Sequence, residues 1–343
     1  MLNFIIRRLL LLIIVLIGVT WVVFGILMTF SPERRAAAYI TSPQQAKDIP
    51  KIVEKYGLND PFYIQYARWI SQISRGNLGW SLVASSSVMD AFKRYLPPTL
   101  ELTLLAAPLT VLAGVWFGSL AGTHRDTWID HSSRIVSIVG WSMPTFLLAL
   151  LLMMIFYGYL NILPPGIVSD KVSMYAIDHA DSFTRYTGMY TIDGLLNGEL
   201  WITIDALWHL VLPVITEVIV LFALLVRTMR SGMIEALSQD YIITAKAKGA
   251  SQDVINNKHA RRNAMIPVMT IAGVLIAGLM RGAITVEVVF NRQGLGWWLA
   301  RSATQLDIPA LLSVCLFIGF VFVIANLIVD ILYAFVDPRI RLS

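Results

Sequence analysis

The sequence is short of charge and almost without cysteine. Asp, Glu, Lys and Arg fill only 14% of its 343 positions, against roughly 25% in soluble domains, which argues against a solvated globular enzyme. The single cysteine, Cys315, has no companion for a disulfide or a thiolate metal site. Also missing are the phosphate-cradling G-x-x-x-x-G-K-S/T run, the H-E-x-x-H zinc helix and the G-x-S-x-G nucleophile turn. His124, His131, His179, His209 and His259 are scattered over separate segments and suggest no ligand set. No catalytic constellation, metal or resident cofactor is expected. The net charge of +5 is small for the length and implies no nucleic-acid partner.

What is abundant is apolar surface, at 57% of residues. A membrane-crossing helix needs roughly 20 such residues in a row. That requirement predicts an all-α membrane protein with six spans, near Leu9 to Phe30, Leu100 to Gly122, Ile135 to Leu160, Leu207 to Val226, Ile266 to Val289 and Leu311 to Tyr333. Arg7 and Arg8 precede the first, as in a signal peptide. Its apolar run exceeds the ~7 to 15 residues of a signal core, so it is read as a retained span. The chain then divides into a first span with its N-terminal end (1–30), an extracytoplasmic segment (31–98) and a five-helix core (99–343). The core carries an extracytoplasmic loop at 161–205 and a cytoplasmic loop at 230–265.

Loop charge sets the orientation. Residues 227–262 hold seven Lys or Arg against three acids, while 161–205 hold two basic residues against six acids. Cytoplasmic loops are the basic ones, so the first faces inward and the second outward, with both termini inside. Arg34, Arg35, Lys47, Lys51 and Lys55 lie in the first outer segment. That segment is too long for the charge rule to apply. Within it, Ile49 to Tyr56 reads as a helix stopped by Gly57 and Pro61 to Ile73 as a second; both are short and are expected to pack on the membrane part. The loop at 161–205 shows little apolar periodicity.

Inside the spans, Pro144 should kink the third by removing a backbone donor, as packing or as a gating hinge. Gly140 and Gly158 allow close helix contact. Glu217, Arg281, Asp330 and, near an end, Glu287 are the intramembrane ionisable residues. An ion-coupled secondary transporter would need such groups as binding sites. Glu217 and Arg281 could form an ion pair, line a path separately, or leave the arginine reaching to the interface. The connection at 291–305 holds Gly294, Gly296, Trp297 and Trp298. Its tryptophans read as interfacial anchors or as part of an external gate.

The cytoplasmic loop reads Y-I-I-T-A-K-A-K-G-A-S-Q-D-V-I-N-N-K-H-A-R-R-N-A-M-I-P from Tyr241 to Pro267. Tyr241 to Lys248 is built of helix formers, Gly249 suits a left-handed stop and Ser251 can cap a following helix. Tyr241, Ala245 and Gly249 lie four apart on one face, a small-residue stripe that another backbone could approach. A basic helix lying on anionic lipid is the alternative.

Tyr241, Thr244, Ala245, Lys248, Gly249, His259, Ala260, Arg262, Asn263, Ala264 and Pro267 together resemble the cytoplasmic signature of permeases of the dipeptide, oligopeptide and nickel class of binding-protein-dependent ABC importers. Ile243 and Thr244 stand where the general importer motif has Glu and Ala. Further similar stretches are I-I-R-R-L-L at the start, Tyr56 to Ile70, Gly76 to Ser81, L-P-P-T-L-E-L-T at 96–103, V-F-N-R-Q-G-L-G at 289–296 and D-P-R-I-R at 337–341. The resemblance implies the type I permease fold, with the cytoplasmic loop as a coupling helix docked on an ATPase. It further implies a second related permease, two ATP-binding cassette subunits that hold ATP and Mg, and an extracytoplasmic binding protein delivering peptide. The second outer loop, about Ile167 to Asp205, is longer than is usual for the peptide permeases, which leaves oligosaccharide open as cargo beside peptide, while nickel stays open from the class itself. The family pattern also leads one to expect uncharged residues at 217 and 281.

Overall fold

The computed structural model describes residues 2–36, 39–40, 48–280 and 283–336. The described chain is helical apart from one two-residue hairpin. In order, it runs α1 (Leu2–Leu27), α2 (Pro32–Ala36), α3 (Ile49–Tyr56), α4 (Phe62–Ser74), β1 (Trp80–Ser81), β2 (Ser86–Ser87), α5 (Val88–Thr123), α6 (Trp128–Ser142) and α7 (Thr145–Leu152). A π-helical stretch, Met153–Tyr159, extends α7. Then follow α8 (Asp170–Asp178), α9 (Tyr190–Leu196), α10 (Leu200–Leu237), α11 (Asp240–Ala247), α12 (Gln252–Val254), π-helical Ile255–Ala260, α13 (Arg261–Met280), α14 (Ile284–Val289), α15 (Leu295–Thr304) and α16 (Ile308–Val336).

Among the described residues, α5, α10 and Ile308–Ala325 of α16 are long and apolar enough to cross a membrane, and α6 with α7 would make a fourth crossing as one bent span. Exposed large apolar side chains such as Leu104, Leu112, Trp116, Ile138 and Trp141 lie along these helices. Such a surface suits hydrocarbon, and helices satisfy their own backbone there.

The centre of the bundle is the pairing of α5 with α10. Gly114, Gly118 and Gly122 face Leu225, Met229 and Met233, and a Cβ on each glycine would lie 2.5 to 2.6 Å from the Cβ of its neighbour. Four-residue spacing of small residues on one helix face lets two backbones come this close, where dispersion replaces the missing hydrophobic drive. Gly140 plays a similar part on α6, where an added Cβ would lie 3.1 Å from the Ile219 carbonyl oxygen. Gly158 does not, since only the Met153 carbonyl, 4.0 Å off, lies near it.

Two predicted spans differ from expectation. The third is not a kinked rod: α6 and α7 meet at 101°. Pro144 has no N–H and forces Met143 into extended backbone (φ −86°, ψ 123°). Its carbonyl then starts α7 by accepting from Leu147 and Leu148. The fifth span is also broken, for Ala283 leaves helical backbone (φ −76°, ψ 67°) just before α14 begins at Ile284. α14 packs on α7 and α15 rather than continuing α13, because its Glu287 is fully buried and needs polar partners there.

The two segments at 31–98 and 161–205 are folded onto the bundle where they are described. α3 covers the expected residues and stops at Gly57 (φ +59°). Together with α2 and α4 it shares a core with Phe24 and Leu27 of α1 and Leu312 of α16. The loop at 161–205 is more ordered than its weak periodicity suggests. Val172, Phe183 and Ile202 form a small core, and the buried Asp193 carboxylate accepts from the Thr187 and Gly188 amides at 2.8 and 3.0 Å.

Candidate functional site

Two regions concentrate the chemistry. The first is the hairpin between α10 and α13. α11 ends at Lys248, whose amide donates to the Thr244 carbonyl at 3.1 Å. Gly249 then turns the chain with φ +77°, a conformation that costs any residue with a Cβ about 1 to 2 kcal/mol. Ser251 stands at the head of α12, but its hydroxyl makes no cap bond. Ile242 is the one buried residue of α11, and it sits among Met233, Ala236, Ile255, Ala260 and Ala264. That cluster joins the hairpin to the inner ends of α10 and α13.

The remaining surface of α11 is open. Tyr241, Ile243, Thr244, Lys248 and Gly249 are exposed, Ile243 to 65%. Ala245 is half-buried and leans on the protein's own core, so it does not share the open face with Gly249. Gly249 is small because the turn needs it; nothing lies within 4 Å of its would-be Cβ. The π-helical stretch packs against α11 and brings half-buried His259 close by. Arg262, Asn263 and Pro267 follow along the exposed side of α13. Asn263 donates to the His259 carbonyl at 3.3 Å, and its own carbonyl has no donor at Pro267.

The second region is a polar seam at the opposite end of the bundle. Three separated stretches, 76–81, 96–103 and 289–296, meet there. Arg292 is wholly buried and pairs with Glu101, while its Nε donates to the Pro98 carbonyl at 3.3 Å. Glu101 also accepts from the amide and hydroxyl of Thr191 at 2.8 and 2.7 Å. The Thr99 hydroxyl donates to Glu287 at 2.6 Å and accepts from the Leu295 amide at 2.7 Å. Glu287 takes a further bond from the Trp297 amide at 2.9 Å. Ser81 donates to buried Asp307 at 2.5 Å, and Trp298 donates to Ser81 at 3.3 Å.

Gly294 and Gly296 are required by this closeness. A Cβ on Gly294 would lie 2.6 Å from the Glu287 carboxylate, and one on Gly296 2.8 Å from the Ile284 Cα. Trp298 is no interfacial anchor. It is fully buried, stacked on Tyr95 and edge-on to Phe92.

Glu217 lies buried in α10, apart from both regions in sequence, and Pro144 forms the elbow between α6 and α7. Arg281 lies outside the described residues, and with it the Glu217–Arg281 pairing. Sequence reasoning passed over Thr99, Glu101, Arg292 and Asp307, although each charged residue sits at the edge of an apolar run. That position was the available signal, because a charge beside a span is costly without a partner.

An all-helical bundle with apolar outer faces, closed by a buried polar seam at one end and carrying an exposed helical hairpin at the other, is the architecture of a polytopic membrane protein. Residues 114–342 match the family described as binding-protein-dependent transport system inner membrane component, and 1–103 match its N-terminal counterpart. The chain belongs to this family, has the ABC permease fold and resides in the inner membrane. It is 37% identical to a dipeptide transport system permease protein, DppB, of Alkalihalophilus pseudofirmus, over 99% of this chain and 100% of that protein. A probable D,D-dipeptide transport system permease protein of Escherichia coli is 38% identical over 85% and 84%. The oligopeptide transport system permease protein AppB of Bacillus subtilis is 33% identical over 99% and 100%.

Proposed function

We propose that this chain forms one half of the membrane pathway of an ATP-driven importer of short peptides. The three relatives named above are dipeptide or oligopeptide permeases, which supports peptide over oligosaccharide or nickel as cargo. A second permease completes the pathway, an extracytoplasmic binding protein delivers the peptide, and two ATP-binding cassette subunits hold ATP and Mg. The chain crosses the membrane six times with both ends in the cytoplasm, counting the bent α6–α7 pair as one crossing.

The observation that carries this reading is the hairpin at α11, pinned by Ile242 and otherwise exposed. ATP-driven closure of the ATPases moves a helix docked on them. Ile242 passes that motion to α10 and α13, and so to the seam at their far ends. Rigid helices with two arrangements at an interface suit alternating access. Tyr241, Thr244, Ala245, Lys248, Gly249, His259, Arg262, Asn263 and Pro267 form or support the docking region, while Pro144, Gly294 and Gly296 shape the gate.

The test is Ile243→Asp in the co-expressed transporter. Ile243 is open to solvent, so membrane abundance should be unchanged. Loss of a central interface anchor costs about 2 kcal/mol or more, or about thirtyfold in affinity. Co-purification of the ATPase and peptide uptake should therefore both collapse, and wild-type levels of both would refute the docking role.

A further inference from the structure

Between α6 and α10, at the end nearer the α11 hairpin, lies a groove of about 540 Å³. Arg134, Ser137 and Trp141 line it from α6, and Leu224, Arg227 and Arg230 from α10. Because the two helices are antiparallel, the groove has a polar end and an apolar end. Arg134 and Arg230 converge at the polar end on the buried Asp130, which accepts from Arg134 Nη2 at 2.7 Å and Arg230 Nη2 at 2.8 Å. From Arg134 to Trp141 the groove runs about 10 Å at 1.5 Å per residue. Ile138 and Trp141 are 60% and 58% exposed along it.

The charges do not cancel. Arg125, Arg134 and Arg230 share the two carboxylates Asp126 and Asp130, and Arg227 adds a fourth positive charge on the groove wall. Among the described residues no carboxylate lies within 4.0 Å of Arg227, which is exposed beside the groove. The Ser137 hydroxyl, also on the lining, is buried without a hydrogen-bond partner. The groove thus offers surplus positive charge at one end, an unused hydroxyl midway, and at the other end a mostly apolar wall of Ile138, Trp141, Ala223 and Leu224 with Ser142 at its edge.

We infer that this groove holds an anionic phospholipid of the inner leaflet, its phosphate on Arg227 and Arg134 and one acyl chain along Ile138, Trp141 and Leu224. Basic pockets between membrane helices on the cytoplasmic side recognise such headgroups. A free phosphate would leave the apolar half uncovered. A peptide would strand its backbone donors against apolar side chains. A helix of another subunit would suit the apolar half, but it would have to supply acids to the arginine half. The leaflet rests on the inward orientation proposed above; the lipid chemistry rests on the groove alone. A phosphate here would tie α6 to α10 one turn from the cluster that seats Ile242.

The experiment uses the transporter purified with its partner subunits, stripped of lipid and resupplied with phosphatidylglycerol or phosphatidylcholine. Bound lipid is counted by native mass spectrometry. Phosphatidylglycerol should be retained preferentially. Arg227→Gln, which leaves the Asp130 clamp intact, should lower that retention about fivefold, the effect of one basic contact with an anionic lipid. A photo-crosslinking residue in place of Ile138 should capture lipid. Equal retention of the two lipids, or no effect of Arg227→Gln, would overturn the site. So would full competition by soluble glycerol phosphate, which marks a free-anion site, or crosslinking of position 138 to peptide or to the second permease. Orientation is read separately, by an impermeant thiol reagent on Ser251→Cys in a Cys315→Ala background. Labelling from outside would overturn the leaflet and the inward reading while leaving the lipid result standing.

Discussion

The two ends of the helical bundle solve opposite problems. At the polar seam, Glu101, Glu287 and Asp307 are buried and each is hydrogen-bonded by groups from distant parts of the chain. At the α11 hairpin, the helix is fastened by Ile242, with Ala245 leaning on the same cluster, and leaves its other side chains exposed. A buried polar network admits few arrangements, because each unmatched group is expensive. An exposed helix on one apolar peg is held in place yet free to be gripped by another protein. The first suits a closure that must be either made or broken, the second a handle.

The largest effect should come from removing a charge at the seam. Arg292→Ala strands Glu101 in a site where both side chains are at most 2% exposed. Breaking a buried pair in this way costs about 3 to 5 kcal/mol, a large share of ~5 to 15 kcal/mol of stability. The yield of monodisperse protein by fluorescence-detected size-exclusion chromatography should fall steeply. Arg292→Met combined with Glu101→Gln should recover much of it. A wild-type yield for the single variant would show that the pair does not hold the seam.

A smaller contrast separates the glycines. Gly294→Ala drives a methyl to within 2.6 Å of the Glu287 carboxylate and should cost roughly 1 to 3 kcal/mol as overpacking. Gly249→Ala meets open space but positive φ and should cost about 1 kcal/mol. Gly249→Asn should restore most of that loss, since Asn tolerates the left-handed region, whereas Gly294→Asn should be worse than Gly294→Ala. Thermal melting of the four variants in detergent checks the order. Rescue at 294, or none at 249, would erase the distinction between a steric and a conformational glycine.

The smallest effect on stability is expected at the handle. Thr244 is exposed and donates only to the Asp240 carbonyl within its own helix, at 3.2 Å. Thr244→Ala should shift stability by no more than about 0.5 kcal/mol, yet weaken association with the ATPase measured by co-purification. A clear drop in Tm would place Thr244 in the fold rather than on a docking face.

Much of this was legible along the chain. The apolar runs marked α5, α10 and α16, the helix-stop-helix pattern around Gly249 was readable from composition, and Gly57 ended α3 as expected. What escaped was set by contacts distant in sequence. Glu101 and Arg292 are 191 residues apart, so nothing local announces that they pair. The three glycines of α5 lie four apart and make a stripe by spacing alone, but nothing along the chain says that α10 is the helix packed on it. Ala245 looked like part of a docking stripe on a helical projection, but a projection does not say which side the rest of the protein covers. Trp298 read as an interfacial anchor until Tyr95 and Phe92 enclosed it.

Composition and spacing by themselves determined that this is a helical membrane protein with a basic helical hairpin between two spans, because burial in hydrocarbon and local helix chemistry depend on runs and periods within one segment. Tertiary structure alone decided the 101° elbow at Pro144, the break before α14, the polar seam and the mixed groove beside Arg227. Each depends on which segments meet, and in a bundle that choice is made by close packing and by buried polar groups finding partners far along the chain.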